Sequence, residues 1–384
     1  MKLGLPAKLF RMQRQVRSFG FVLIGLVLAV SAAAHAQWQM QNSGTTADLR
    51  GIDNVGGGVA WASGTNGTVL RTEDGGYLWQ TCSIPPGAEH LDFRGIQAFD
   101  ANTAIVMSSG KGDLSRLYKT TDGCQSWKLV FTNPDKDGFW DAIVADRDSG
   151  LVVGDPVDEH FVVFSSVSSG LERWDRHGGS GNSWLDTTVH DAPAYRGEGL
   201  FAASNSSMKG SPHTGLAFVT GGPEGAFFAF GAWKEDGNEF GKVRIPLAKG
   251  NSAGAFSLSC AGNPPPSQPM MCIAVGGDYV SPDSSHGTAA YSSSPDRKWQ
   301  ASKAPPHGYR SAVAYDATSK AWITVGPNGT DVSTDDGRNW RALHPDAALG
   351  EPPDADRNWN ALSLPYVVGP HGRIGKLNPH ALAR

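Results

Sequence analysis

The chain has 384 residues, with 33 Lys and Arg against 37 Asp and Glu, a formal net charge of −4 at pH 7 and four cysteines. An acidic balance repels phosphate backbones, and no basic amphipathic stretch offers a membrane surface, so nucleic acid is set aside as a partner. Glycine is abundant, at 48 residues, and the apolar segments are short, alternating and bounded by Gly, Pro, Asn and Asp. That is an all-β pattern.

In chain order, Lys2, Lys8, Arg11, Arg14 and Arg17 come first, then the apolar run FGFVLIGLVLAVSAAA from Phe19, then Ala34-His35-Ala36. A basic segment, a short apolar run and a small-residue site read as a secretory signal peptide, with cleavage after Ala36. The run is short for a spanning helix, and no paired arginines suggest a twin-arginine route. The expectation is a leader over 1–36 and a single domain over 37–384, periplasmic or secreted, monomeric, with no transmembrane anchor after cleavage. The leader holds five basic and no acidic residues, so its loss takes the formal charge from −4 to −9.

WQMQNSG at 38–44 stands alone before a set of repeats. From Leu49 and again from Phe93 the chain reads apolar strand, turn, strand ending in small residues, turn, third strand, and a turn closing on tryptophan. Trp79, Trp127 and Trp174 mark these closures. The second strand recurs seven times: AWASG at 60–64, IVMSSG at 105–110, LVVGD at 151–155, AFVTGG at 217–222, IAVGGD at 273–278, ITVGP at 323–327 and YVVGP at 366–370. Seven units of about 50 residues have the size of four-stranded propeller blades. One blade cannot bury both faces, whereas seven arranged radially bury each against a neighbour. The last unit supplies only three strands. The spacing therefore predicts a seven-bladed β-propeller whose lone N-terminal strand completes the last blade and removes two exposed edges.

The closing turns share a pattern: Thr72-x-Asp74-x-Gly76-x-x-Trp79, Thr120-x-Asp122-x-Cys124-x-x-Trp127 and Ser333-x-Asp335-x-Gly337-x-x-Trp340. The aspartate can accept backbone N–H groups of its own turn, the hydroxyl serves the same turn, the glycine admits positive φ, and the tryptophan fills the seam between blades. Each member has a local structural task. In the second copy Cys124 replaces glycine, so either that turn avoids positive φ or a disulfide holds the residue there. SSSPDRKW, closing on Trp299, lacks the aspartate. The pattern resembles the Asp-box of sialidase-type propellers, which lies away from any catalytic face.

Four cysteines in an exported chain read as disulfides. Cys260 and Cys272 flank a proline-rich loop and make the simplest pair, leaving Cys82 and Cys124; three connectivities remain compatible with the sequence. There is no C-x-x-C, H-E-x-x-H, P-loop or G-x-S-x-G, the histidines are scattered, and no metal or cofactor is expected.

The order LRGI…AWASG…GTVLRTEDGGYLW, DFRGI…LYKTTDG, GLVVGDPVD, GEGLFAASNSS, AGAFSLS, AVGGDY, GYRSAVAY, VGPNGTDVSTDDGRNW and NALSL…VGPHGRIGKL resembles exported bacterial proteins related to the photosystem II stability and assembly factors. The resemblance spans nearly the whole mature chain. It implies a seven-bladed Asp-box propeller and a non-catalytic scaffold binding a protein or peptide segment, such as one of a membrane protein complex. The alternative is a sialidase-like glycoside hydrolase. VRIP, Val243 to Pro246, resembles the sialidase arginine motif, but Arg244 follows two Asp-boxes and reads as an outer strand. No Tyr/Glu nucleophile pair accompanies it.

In a propeller the first strand of each blade lines the central channel, so residues entering those strands share one rim. In register these are Arg50, Arg94, Asp141, Glu198, Arg310 and Asn360, with Ser252 or Gly254 in the fifth blade. Arginine suits bidentate recognition of a carboxylate or peptide terminus, so this rim is the candidate ligand site. The competing expectation is that the arginines pair with Asp141, Glu198 or carbonyls and brace the mouth. Trp140 and Tyr309 adjoin the rim. The insertion at 176–199, with His177, Trp184 and His190, is longer than a blade-to-blade link requires.

Overall fold

In the computed structural model, the residues described are Met1, 37–176, 192–232, 239–261, 270–294, 296, 298–378 and Leu382. The expected leader, and Trp184, His177 and His190 of the insertion, lie outside them. Seven four-stranded antiparallel sheets follow one another along the chain. The first blade is Leu49–Gly56, Val59–Gly64, Val69–Thr72 and Gln80–Thr81. The second is Phe93–Ala98, Ala104–Ser108, Arg116–Thr120 and Lys128–Thr132; the third is Trp140–Ala145, Gly150–Gly154, Val163–Ser166 and Asp175–Arg176. The fourth runs Met208–Ser211, Gly215–Thr220, Ala226–Ala232 and Glu239–Ile245, and the fifth Ala253–Cys260, Cys272–Asp278, Ala289–Ser294 and Lys298–Ala301. Ala312–Asp316, Ala321–Gly326, Gly329–Ser333 and Arg341–Ala342 form the sixth.

The seventh blade takes Ala361–Ser363, Tyr366–Val368 and Ile374–Leu377 from the end of the chain, and its outermost strand, Trp38–Gln41, from the beginning. Trp38 pairs with Leu377 and Gln41 with Ile374, antiparallel, as the lone N-terminal strand predicts. Each inner strand packs on the inner strand of the next blade, and the first packs on the seventh, so the ring is closed. Closure leaves no inter-blade face open to water.

The core is distributed as one apolar cluster per seam. Trp79 packs with Leu49, Tyr366 and Ile374 between the seventh and first blades. Trp127 packs with Trp61, Phe93 and Tyr118 between the first and second. Trp174, Trp299 and Trp340 do the same between blades two and three, four and five, and five and six. Trp38 takes this place between the sixth and seventh, stacked on Trp359 at 5.7 Å. Among the described residues, the seam between blades three and four is filled by Phe161, Phe218 and Met208.

The three matching turns share one hydrogen-bond network. Thr72 Oγ1 donates to Asp74 Oδ1 at 2.9 Å and accepts the Gly76 N–H at 3.0 Å, while Asp74 Oδ1 accepts the Leu78 N–H at 3.0 Å. Thr120, Asp122, Cys124 and Ser126 repeat it at 2.9, 3.0 and 3.0 Å, and Ser333, Asp335, Gly337 and Asn339 at 2.9, 3.0 and 2.9 Å. The hydrogen bonds from Ser126, side chain then backbone, hold the Asp122 carboxyl down to about 2. These carboxylates are committed to their turns.

Cys124 resolves the anomaly of the second copy. Its φ is +62°, in the same region as Gly76 (+89°) and Gly337 (+75°), and it is bonded to Cys82. That bridge ties the first blade's outer edge to the second blade's turn; the other, Cys260–Cys272, spans the proline-rich loop. On the chain-entropy account, loops of 42 and 12 residues are worth roughly 4 and 3 kcal/mol.

Candidate functional site at the channel mouth

The rim residues owe their direction to β-bulges. The pairing of the first blade's two inner strands skips between Leu49 and Gly51, so Arg50 is left out of the ladder. The same slip omits Arg94 in the second blade, Asp141 in the third and Phe256 in the fifth. A bulge residue is unpaired and re-aimed; Arg50 and Arg94 stay partly exposed, whereas Asp141 and Phe256 are buried. The fifth-blade position is thus Phe256, not Ser252 or Gly254, because the bulge lies farther along the strand than turn spacing suggests. Gly51 permits the close approach of blades one and two: a Cβ there would lie 3.2 Å from the Arg94 carbonyl.

Arg50 and Arg94 converge on Asp92. Arg94 Nε lies 2.8 Å from Asp92 Oδ2, and Arg50 Nε lies 3.9 Å from Asp92 Oδ1 and Arg50 Nη2 3.7 Å from Asp48. Arg50 Nε and Asp92 Oδ1 have no hydrogen-bond partner, and both arginine side chains are 29% exposed. Across the mouth stands an aromatic group. Phe201 stacks on Phe256 at 3.8 Å, Phe256 meets Tyr309 edge-on at 4.7 Å, and Tyr279, half exposed, closes the group. Burial pushes the Tyr309 phenol up, and the neighbouring Tyr279 adds to this, while the fields of Arg50 and Arg94 pull it back. The guanidinium pair and the aromatic wall therefore belong to one site.

The other rim candidates do other work. Arg310 is 1% exposed; its Nε donates to Asp331 Oδ2 at 2.9 Å and its Nη1 to Asn328 Oδ1 at 2.6 Å and to the Tyr309 carbonyl. Burial lowers its pKa, against the pull of Asp331. It braces the sixth blade and presents nothing to a ligand. Glu198 is buried, accepting from Thr220 Oγ1 at 2.6 Å and from Lys242 Nζ at 2.8 Å. Asn360 latches the seventh blade to the first by donating to the Leu49 carbonyl at 2.8 Å. Trp140 packs between blades, on Phe131 and Phe164, whereas Tyr309 is in the mouth. Arg244 lies on the fourth blade's outermost strand, over the Phe227 ring, remote from the other arginines in the ladder.

The fourth blade's inner strand is interrupted. Gly199 bridges to Gly221, the chain leaves the ladder, and pairing resumes only at Met208 with Phe218. Residues 200–207 cross the channel and bond to four other blades. Arg94 Nη1 donates to the Ala202 carbonyl at 3.1 Å, and Asn205 accepts the Ile143 N–H at 2.8 Å. Ser204 donates to the Ser311 carbonyl at 2.8 Å, and Ser206 to Ser257 at 2.7 Å. This crossing floors the mouth. Lys209, on the fourth blade's inner strand, has its pKa lowered by desolvation against the pull of Asp53, whose carboxyl is itself pushed up to about 6 mainly by burial.

Beside the mouth lies a cleft of about 560 Å³ lined by Asp155, Glu159, Tyr195, Phe201 and the backbone of Gly197, Gly199, Gly221 and Gly222. Asp155 Oδ1 accepts the Leu200 N–H at 3.1 Å, and burial pushes its carboxyl up to about 6. Asp141, 2% exposed, is raised well above the ordinary carboxylate range by burial and then by the charge of Asp155, against the pull of Arg94; its Oδ2 has no partner. No group of His, Cys, Asp and Glu among the described residues has the arrangement of a metal site.

No family model matches the sequence, and no curated protein does. Among solved structures, YCF48 bound to D1 peptide superposes with a TM-score of 0.57 at 16% identity, covering 90% of this chain and 97% of that one. YCF48 from Cyanidioschyzon merolae gives 0.58 at 16%, covering 90% and 100%. A GH74 xyloglucanase from Xanthomonas campestris reaches only 0.31 at 15%, over 74% of this chain and 47% of that one, too low to carry an argument. What the chain shares with YCF48 is the seven-bladed fold.

Proposed function

We propose that this protein is an exported, non-catalytic scaffold that holds a protein or peptide segment at its channel mouth, as the photosystem II assembly-factor resemblance implies. The observation that carries the reading is the pair Arg50–Arg94: two partly open guanidinia sharing one carboxylate, with an unpartnered Nε, beside the aromatic wall of Phe201, Phe256, Tyr279 and Tyr309. An anionic group on the arginines and an apolar side chain on the rings would satisfy both halves. The solved structure of YCF48 bound to D1 peptide supports the reading, since a propeller of this fold takes a peptide. The two disulfides suit an oxidising compartment outside the cytoplasm.

A glycoside hydrolase needs two carboxylates facing an open site. Asp155 and Glu159 line the cleft beside the mouth, but the Asp155 carboxylate is engaged by the Leu200 N–H and Asp141 is buried, which favours the non-catalytic reading; turnover of chromogenic glycosides would overturn it. The test is affinity capture from native periplasm and solubilised membrane, comparing wild type with Arg50→Ala/Arg94→Ala by mass spectrometry. A partner kept by the wild type and lost by the variant supports the reading; identical lists refute it.

A further inference from the structure

Tyr279 is the most exposed ring of the aromatic wall, and the turn that carries it is fastened at both ends. It leaves the fifth blade after Asp278, closed by the Ser281 N–H on the Asp278 carbonyl at 3.1 Å, with Tyr279 and Val280, 51% and 68% exposed, at its centre. At the near end Asp278 Oδ1 accepts the Ser252 hydroxyl at 2.7 Å and the Val280 N–H at 3.0 Å. At the far end the Pro282 carbonyl accepts two donors from the sixth blade: the Tyr309 N–H at 2.8 Å and Asn328 Nδ2 at 2.7 Å. The same Nδ2 lies 3.2 Å from Asp283 Oδ1. Arg310 Nη1 donates to Asn328 Oδ1, and a carbonyl only accepts, so the partners at both ends of the amide agree on its orientation. The bonds that reach the turn come from Asn328 Nδ2 and Tyr309, so they outlast replacement of Arg310. Gly308 makes room for them: its φ is +89°, and a Cβ there would lie 2.2 Å from the Pro282 carbonyl oxygen and 2.1 Å from Asn328 Nδ2.

We propose that the turn 278–281 is a pre-set apolar reader at the mouth, locked to the sixth blade by Asn328 and Gly308, so that the protein selects segments carrying a large apolar side chain beside the anionic group. This rests on the reading that the mouth takes such a segment. Asn328 and Gly308 lie between strands, and what they hold still is an exposed apolar pair. A ring free to swing must be ordered by each ligand, whereas a held one loses little freedom on contact. The lock therefore strengthens the apolar half of recognition and leaves the anionic half, at Arg50 and Arg94, unchanged. Asn328 is a positioning residue: it acts on the ligand through the turn.

The probes are two end-capped tetrapeptides, Gly-Asp-Phe-Gly and Gly-Asp-Ala-Gly, competing with 8-anilinonaphthalene-1-sulfonate, whose sulfonate suits the guanidinia and whose fluorescence reports apolar contact. With the wild type, the phenylalanine peptide is expected to displace the dye at about tenfold lower concentration than the alanine peptide, a part of what burying an aromatic side chain contributes. Asn328→Ala should cut that ratio to about threefold or less, a loss in the range of one ordinary hydrogen bond, with the alanine peptide bound as before. A merely structural role would weaken both peptides alike or neither. Gly308→Ala should act in the same way, and it decides the point if Asn328→Ala fails to fold. An unchanged ratio overturns the lock while leaving the mouth intact, and a wild type that does not distinguish the peptides overturns the reader. If displacement ignores Arg50→Ala/Arg94→Ala, the mouth reading itself fails. Exchange of the Ser281 and Tyr309 amides is the second readout: protection equal in the wild type and Asn328→Ala overturns the lock whatever the peptides do.

Discussion

Replacing Arg310 by alanine separates a brace from a ligand residue. The guanidinium is 1% exposed and Asp331 is 3% exposed, with Nε to Oδ2 at 2.9 Å and a further bond to Asn328 at 2.6 Å. Truncation leaves the Asp331 carboxylate buried without its cation, and breaking a buried pair from one side costs about 3–5 kcal/mol. Replacing both partners by apolar residues of similar volume, Arg310→Met/Asp331→Leu, removes the stranded charge and should cost less than either single change. Urea unfolding at pH 7.5, followed by tryptophan fluorescence, measures the wild type, Arg310→Ala, both single changes and the double variant, and partner capture at the mouth should survive in the double variant. A loss under about 1 kcal/mol for Arg310→Ala, or a double variant worse than both singles, would refute the bracing argument.

Arg50→Ala/Arg94→Ala removes partly exposed pairs worth about 0–1 kcal/mol each and the Arg94 bond to the Ala202 carbonyl, so stability should fall by no more than about 3 kcal/mol while capture is lost altogether. Ser333→Ala deletes a donor to Asp335 and the acceptor of the buried Gly337 N–H, and should cost about 1–3 kcal/mol by the same unfolding assay. Because Cys124 sits at φ +62°, Cys82→Ala/Cys124→Gly should be more stable than Cys82→Ala/Cys124→Ala by about 1 kcal/mol, although both lack the bridge. Asp155 binds its proton more tightly folded than unfolded, so the native state holds more protons between pH 4 and 6 and stability falls as pH rises through that window. The Asp155 share is at most about 3 kcal/mol, and because burial also raises Asp53 to about 6, Asp155→Asn should reduce the slope without abolishing it, read as midpoint against pH.

The ring was legible because its determinants are local and repeated. Small-residue strand ends, seven times over, and the hydroxyl-aspartate-tryptophan turns each require one kind of turn, and Trp38 stands where the other blades' seam tryptophans stand. The mouth was legible only in part. Arg50 and Arg94 occur in matching LRGI and FRGI segments and reach the rim through matching bulges. Arg310 occupies the same register, yet Asp331, twenty-one residues on, turns it inward, and no sequence spacing announces such a pair. Glu198 stands one step before the isolated Gly199–Gly221 bridge, and the crossing that follows displaces the fourth blade's inner strand to Met208. Phe256 was hidden because a bulge is a slip in hydrogen bonding, with no signature in composition. Asp155 closes a strand end that reads as an ordinary turn; only the fold brings it beneath Leu200.

The central claim is that the mouth, not the outer turns, touches the partner. A benzophenone amino acid placed at Tyr279, 51% exposed in the aromatic wall, and separately at Tyr77, 86% exposed on the first blade's outer turn, tests it in cells by photocrosslinking. The account predicts a discrete adduct from position 279, abolished by Arg50→Ala/Arg94→Ala, and none from position 77. An adduct from 77 alone, or one from 279 that survives loss of both arginines, would contradict it.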